Sequence, residues 1–254
     1  MKATVIILGG TTEGYALAEA LAGRTGIRLI NSLAGRTDNP RLPAGETRVG
    51  GFGGAEGLAD FLLTVQADAV IDATHPFAAA MGWNAHAGCA AAAVPLLRIE
   101  RPAWQPQPDD QWFETDDWEG ARARLLERGA RRVLLALGRQ ELAPFAGLDD
   151  IHFLIRAVSA PDPMPPFADA ELLLARGPFD LEDERALLDT HRIDTIVCKN
   201  SGGTATAAKL TAARERGIEV VMRRRPPRPQ RPTVARVDEA LAWLERKLDH
   251  PPER

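Results

Sequence analysis

The chain has only two cysteines, Cys89 and Cys198, among its 254 residues. They lie far apart and neither has metal-ligand spacing, so no disulfide framework and no cysteine-based metal centre is expected. Such sparse cysteine suits a reducing cytosol, the expected compartment. No uninterrupted apolar run approaches the length of a membrane span. The chain opens directly in an apolar strand, with no charged leader or cleavage site, so no signal peptide is expected. Net charge is −4, so no global field calls for nucleic acid or an anionic membrane. No heptad pattern stands out, and the sequence is silent on oligomeric state. Lysine is scarce too: of 31 basic residues only Lys2, Lys199, Lys209 and Lys247 are lysines. Two accounts fit and both can hold. One is a GC-rich genome; the other is a need for guanidinium groups that bind carboxylates or phosphates in bidentate fashion.

With 45% hydrophobic and 26% charged residues, the chain has an ordinary globular composition. Its length suits one large or two modest domains, either able to bury a real core. Short apolar runs alternate with helical patterns. Thr4–Leu8, Arg28–Leu33, Ala69–Ala73 and Pro95–Ile99 read as strands. Thr12–Ala22, Glu56–Val65 and Ala78–Ala91 read as helices between them. Residues 101–111 (RPAWQPQPDDQ) break the pattern with three prolines and form a linker candidate. A second series follows, with strands at Trp112–Glu114, Arg132–Leu137, His152–Ala157, Ala170–Leu174, Thr195–Lys199 and Glu219–Arg223. Its helices fall at Trp118–Arg128, Leu181–Thr190 and Thr204–Arg216. Pro226–Pro232 is extended, and Val237–Leu248 is a closing amphipathic helix. Alternation of this kind predicts parallel sheets in an α/β fold. Two doubly wound domains, residues 1–105 and 112–254, with a cleft between them, fit best.

The residues that carry chemistry sit where strands end. Gly9-Gly10-Thr11-Thr12-Glu13-Gly14 follows the first strand and opens a helix. Glycines there let the backbone approach phosphates, and N–H groups at the helix start point at negative charge. Thr11 replaces the middle glycine of the common GxGxxG pattern, and its hydroxyl can donate to a phosphate oxygen. A tight turn without a ligand is the alternative. After the second strand, Asn31-Ser32-Leu33-Ala34-Gly35-Arg36 lacks the acid that binds the ribose of NAD. Ser32 and Arg36 suit a 2′-phosphate instead, which predicts NADPH; a solvated Arg36 is the bland alternative.

Asp72-Ala73-Thr74-His75-Pro76-Phe77 lies at another strand exit. Thr74 is a cofactor-binding candidate. His75 is a candidate proton donor, although a lone histidine is more often structural. Lys199-Asn200-Ser201-Gly202-Gly203-Thr204 takes the matching place in the second half, where it joins a cation, an amide and hydroxyls to an expected helix start. Its alternative is a structural ion pair at Lys199. Gly138-Arg139 and Arg176-Gly177 repeat the theme of a basic residue at a strand exit. Arg223–Arg225 reads as a solvated face or a crossover. Leu8–Thr11 and Ser201–Thr204 also form a faint internal echo.

Taken in order, the GGTTEG turn, the SLAGR segment, the GGFGG cluster, DATHPFA and the KNSGG-T turn resemble the precorrin-6A reductase family of cobalamin biosynthesis. The match runs from residue 5 to about residue 221. The resemblance implies NADPH-dependent reduction of the C18–C19 double bond of a corrin-ring precursor, and two Rossmann-like domains around a cleft. It also implies that one domain can borrow a strand or the last helix from the other. A ring bearing many carboxylates needs basic groups, and Lys199, Asn200, Ser201, Gly202, Arg139 and Arg176 are the expected substrate ligands. Gly9, Gly10, Thr11, Thr12, Glu13, Ser32, Arg36 and Thr74 are the expected cofactor ligands, and no metal is expected. Two other readings remain. One is a different Rossmann-type reductase or transferase acting on a polyanionic substrate. The other is a nucleotide-binding module that catalyses nothing.

Overall fold

The computed structural model describes residues 2–35 and 42–249. The chain divides into two compact units, the first formed by residues up to Pro102 and from Pro226 onward, the second by Ala103–Arg225. Both are parallel-sheet α/β domains.

The first unit runs β1 (Ala3–Leu8), α1 (Thr12–Leu21), β2 (Ile27–Leu33), β3 (Glu46–Val49), α2 (Ala55–Thr64), β4 (Ala67–Asp72), α3 (Ala79–Ala91) and β5 (Leu96–Ile99). The end of the chain returns to it as β12 (Thr233–Val234) and α7 (Val237–Asp249). Its sheet has the order β12-β5-β4-β1-β2-β3, with every pair parallel. Parallel strands are apolar throughout because helices cover both faces. β1 demonstrates this. Val5 and Ile7 pack with Leu17 and Leu21 of α1 and with Ala240 and Leu244 of α7. Ile6 and Leu8 face the other way, onto Leu58 and Leu62 of α2 and Ala85 and Cys89 of α3.

The second unit runs β6 (Trp112–Thr115), α4 (Trp118–Arg128), β7 (Arg132–Ala136), a 3-10 turn (Ala143–Phe145), β8 (His152–Ala157), β9 (Ala170–Leu174), α5 (Leu181–Thr190), β10 (Thr195–Lys199), α6 (Ala208–Arg216) and β11 (Glu219–Arg223). Its sheet order is β6-β11-β10-β7-β8-β9, again parallel. Trp118 and Leu125 of α4 cover one face together with Phe145; α5 and α6 cover the other through Leu188, Leu210 and Ala213.

The sequence did not predict three of these elements: β3, the 3-10 turn and β12. β3 is four residues long and polar, and it is held at the sheet edge by the bidentate Arg28–Glu46 pair as well as by its ladder. β12 has two residues and takes its identity from β5, its neighbour. α6 begins at Ala208 rather than at Thr204, because residues 204–207 form turns without a side-chain cap. The sheet orders also show that the faint echo of Leu8–Thr11 in Ser201–Thr204 joins turns at different sheet positions. In sheet position β1 corresponds to β7, and β4 to β10. The Lys199–Thr204 turn is therefore the counterpart of the Asp72–Phe77 exit, and Gly138-Arg139 is the counterpart of Gly9–Gly14.

Candidate active site

In the first unit, register brings three strand exits together. Leu8 pairs with Ser32 on one side and with Asp72 on the other. The Gly9 N–H donates to Ser32 O, and the Ala73 N–H donates to Leu8 O, each at 2.9 Å. The carboxyl edge of this sheet thus collects the GGTTEG turn, the end of β2 and the DATHPF segment, which is where open parallel sheets bind ligands.

Thr11 caps α1. Its Oγ1 accepts from the Gly14 N–H at 3.2 Å and donates to Ala73 O at 2.8 Å. The hydroxyl is therefore committed to the protein rather than offered to a phosphate, and it ties the turn to the β4 exit. The next N–H groups of the helix start have no intrahelical partner, as at any helix N-terminus. Gly10 has φ +114 and nothing within 4 Å of a Cβ built on it, so the turn is both left-handed and open. Gly14 lies tight on the strand, where a Cβ would stand 3.3 Å from that of Ala73. The turn is thus open to approach at Gly10 and closely packed at Gly14. Glu13 Oε2 accepts from Arg101 at 2.8 Å, so its charge is balanced beside that turn.

Ser32 has a partner that the sequence did not suggest. In register with it on β3 is Arg48, whose Nη1 donates to Ser32 Oγ at 2.9 Å. The same guanidinium donates to Gly50 O and Gly51 O at 3.0 Å and lies 3.9 Å from the centroid of the Phe52 ring. The GGFGG cluster thus serves to hold an arginine at the end of β2. Arg36 lies outside the described residues.

At the β4 exit, Thr74 Oγ1 and the Thr74 N–H both donate to Asp72 Oδ1, at 2.6 and 3.1 Å. Thr74 is buried by this turn. His75 is half-buried, its Nδ1 accepts from the Phe77 N–H at 3.2 Å, and its ring lies 5.8 Å from that of Phe77. Behind them Arg228, from the returning segment, reaches Asp72, Thr74 and Glu100.

In the second unit the Lys199–Thr204 turn is largely engaged by its own surroundings. Lys199 Nζ lies 2.6 Å from Glu141 Oε2, and Arg223 Nη1 lies 2.7 Å from Glu141 Oε1. Burial opposes ionisation of Glu141, but Lys199, Trp118 and Arg223 together hold its carboxyl below the usual range. Asn200 is taken by the linker: its Oδ1 accepts from the Trp104 N–H at 2.8 Å and its Nδ2 donates to Trp104 O at 3.0 Å. Trp104 Nε1 also donates to Gly203 O, and Arg225 donates to the carbonyls of Asn200 and Ser201. Arg225 therefore faces the turn and Arg223 faces Glu141. Of the two readings expected for the Arg223–Arg225 run, a solvated face or a crossover, the crossover fits, with the chain returning to the first unit from Pro226. Only Arg224 of that run is exposed, against Glu114 and Asp116. Lys209, pulled below the usual lysine range by burial, donates to Thr206 O and lies 4.5 Å from the Trp104 ring centroid. Gly202 and Gly203 both have positive φ. Arg139 is half-buried and reaches Ala160 O at 3.5 Å, whereas Arg176 is exposed.

Sequence reasoning thus placed the strand exits and missed Arg48, Arg101, Glu141 and Arg228. The missed residues lie on other strands or loops and reach the exits only through the fold. Gly50–Gly54, flanked by Arg48, was the one local signal.

The fold and the exits define a two-unit Rossmann-like protein whose first unit has an open glycine turn at the carboxyl edge of its parallel sheet. Residues 4–245 match the family model described as "Precorrin-6x reductase CbiJ/CobK". The chain is 49% identical over 244 residues to a precorrin-6A reductase of Rhodococcus erythropolis, covering 94% of this chain and 96% of that protein. A cobalt-precorrin-6A reductase of Priestia megaterium is 27% identical, over 87% of this chain and 90% of that protein. A solved structure titled "CobK precorrin-6A reductase" superposes with a TM-score of 0.90 at 41% identity, covering 96% of each chain. The chain belongs to the precorrin-6x reductase family of cobalamin biosynthesis, and it is an oxidoreductase.

Proposed function

We propose that this protein reduces precorrin-6A to precorrin-6B with NADPH. The observation that carries the reading is near-full-length identity to precorrin-6A reductases, about half of all positions in the Rhodococcus relative. The much lower identity to the cobalt-precorrin relative favours the metal-free ring. When bound, NADPH supplies the hydride that, with one proton, saturates the C18–C19 bond.

The chain's own residues have separable tasks in this reading. The backbone of Gly9–Glu13 would hold the pyrophosphate, with Gly10 leaving room for it. Ser32 and Arg48, together with Arg36, would hold the 2′-phosphate. Arg48 has five N–H donors and commits three of them to described acceptors, which leaves capacity for an anion. Thr74 and His75 would flank the nicotinamide end. His75 is the proton donor in this scheme, with ordered water as the alternative. Arg139, Arg176, Lys199 and Ser201 would bind ring carboxylates, Lys199 by sharing its charge with Glu141. Asn200 and Gly202 would support them by shaping the turn.

The test is a spectral assay with metal-free and cobalt-loaded ring precursors, each with NADPH and with NADH. Consumption of NADPH with the metal-free ring is the expected result. Failure with both rings would refute the substrate, and a preference for NADH would refute the 2′-phosphate site.

A further inference from the structure

The segment from Pro226 returns to the first unit in extended form and joins its sheet only at Thr233. Arg228 leaves this segment and ends at the β4 exit. Its Nη2 donates to Asp72 Oδ2 at 2.5 Å and to Thr74 Oγ1 at 3.1 Å; its Nη1 donates to Glu100 Oε2 at 2.9 Å. The Arg228 side chain is 5% exposed and that of Asp72 1%. Because Thr74 Oγ1 also donates to Asp72 Oδ1, the guanidinium, the hydroxyl and the carboxylate form one closed set of contacts. His75 is the next residue.

Charge explains why the arginine is there. A buried carboxylate needs a cation and hydrogen bonds to remain ionised. Arg98 approaches Asp72 Oδ2 only to 3.6 Å, so Arg228 supplies the close partner. Together Arg98 and Arg228 balance Asp72 and Glu100. The sequence also makes room for the contact. A Cβ on Gly82, in α3, would stand 2.6 Å from Arg228 Nε and 2.8 Å from its Nη2. Glycine is poor inside a helix, and the guanidinium it admits accounts for its presence there.

We propose that Arg228 is a positioning residue for the reduction, acting through Asp72 and Thr74 to fix the β4 exit and, with it, His75. This rests on the reading of that exit as the reacting end of the cofactor site. Arg228 does not bind the substrate ring itself, since its terminal nitrogens are buried among three protein acceptors.

The test compares Arg228→Ala, Arg228→Lys and Gly82→Ala with the unaltered protein. Competent sites are counted by titration with NADPH, and kcat is expressed per site. Arg228→Ala should lower kcat per site by ~10- to 100-fold, while Kd for NADPH and KM for the ring move less than about threefold. Gly82→Ala, which keeps the charge but displaces the guanidinium, should fall in the same direction. Arg228→Lys should lie between, and added guanidinium should partly restore Arg228→Ala but not Gly82→Ala. In 15N-labelled protein without ligand, the His75 ring and Phe77 amide resonances should shift in the Ala variants, while Gly202 and Gly203 stay fixed. Gly82→Ala and Arg228→Lys carry the test if Arg228→Ala does not fold. An unchanged kcat per site would overturn the proposal. So would a raised KM at normal kcat, which makes Arg228 a substrate ligand, or exit resonances that do not move. If the unaltered protein consumes no NADPH with either ring, the functional reading falls; the resonances still decide whether Arg228 sets the exit.

Discussion

His75 Nδ1 accepts from the Phe77 N–H at 3.2 Å, so a neutral ring carries its proton on Nε2. If that proton reaches the substrate, His75→Ala should lower turnover by ~10²-fold or more. Near-normal turnover at saturating substrate would remove His75 from that role and leave water as the donor. Arg48 supports a second prediction. Arg48→Ala should weaken NADPH about tenfold or more in a fluorescence titration and leave NADH within about twofold, because only the former carries the 2′-phosphate that a guanidinium binds. Equal losses for the two cofactors would contradict the assignment. Ser32 and His75 were legible in the sequence because each is a polar residue at or just beyond the end of an apolar strand. Arg48 was not, since it reaches Ser32 only through the register of β2 with β3. Thr11 was legible as part of the turn, yet its hydroxyl bonds Ala73 O, which is distant in sequence.

The turn after β10 has the composition of an anion site, and its contacts give it a different emphasis. Its amide is held by Trp104, its carbonyls by Arg225, and its lysine by Glu141. The helix expected to begin at Thr204 starts four residues later, so a helix N-terminus does not stand directly behind the turn. Glu141 links this element to pH. Despite the opposing effect of burial, its carboxyl is held below the usual range by Lys199, Trp118 and Arg223. A carboxyl whose pKa is depressed by folding adds stability above its unfolded pKa, and that stability is lost as pH falls through the folded value. Glu141→Gln should therefore flatten the acid limb of a Tm-against-pH curve, below the ordinary value of 4.5. The variant is less stable than the unaltered protein near neutrality, and the difference shrinks in acid. Identical acid limbs would contradict this account. The elements themselves were largely legible: the β1, β8, β10, α4 and α5 segments stand within about a residue or two of the pattern in the sequence, as hydrophobic periodicity allows. β3 and β12 were not, because short edge strands carry too few apolar residues to show a period.

At the scale of the molecule, the chain leaves the first unit at residue 102 and re-enters it at 226. The expected boundaries gave residues 226–254 to the second domain, with a crossover allowed; the contacts group them with the first. α7 completes an apolar face with Ala240 and Leu244 buried and Val237, Leu241, Trp243 and Leu248 partly so. A fully buried leucine side chain stabilises by about 1.5–3 kcal/mol, and several such groups together rival a typical net stability of about 5–15 kcal/mol. A chain ending at Arg225 should thus bind the dye ANS strongly and lose NADPH binding, as the sheet carrying the glycine turn loses a helix that covers one of its faces. Wild-type NADPH affinity in that truncated chain would contradict the account.

The amino-acid sequence by itself determined the alternation of strands and helices, the polar strand exits and the family, because each of these is written in local periodicity and in short motifs. Tertiary structure decided which exits stand side by side, which glycine turns correspond, and which side chains are already occupied. It brought Arg48 to Ser32, Trp104 to Asn200 and Arg228 to Asp72. Those choices depend on sheet order, register and the return of the last segment, and these are fixed by packing between residues far apart in the chain rather than by any local preference.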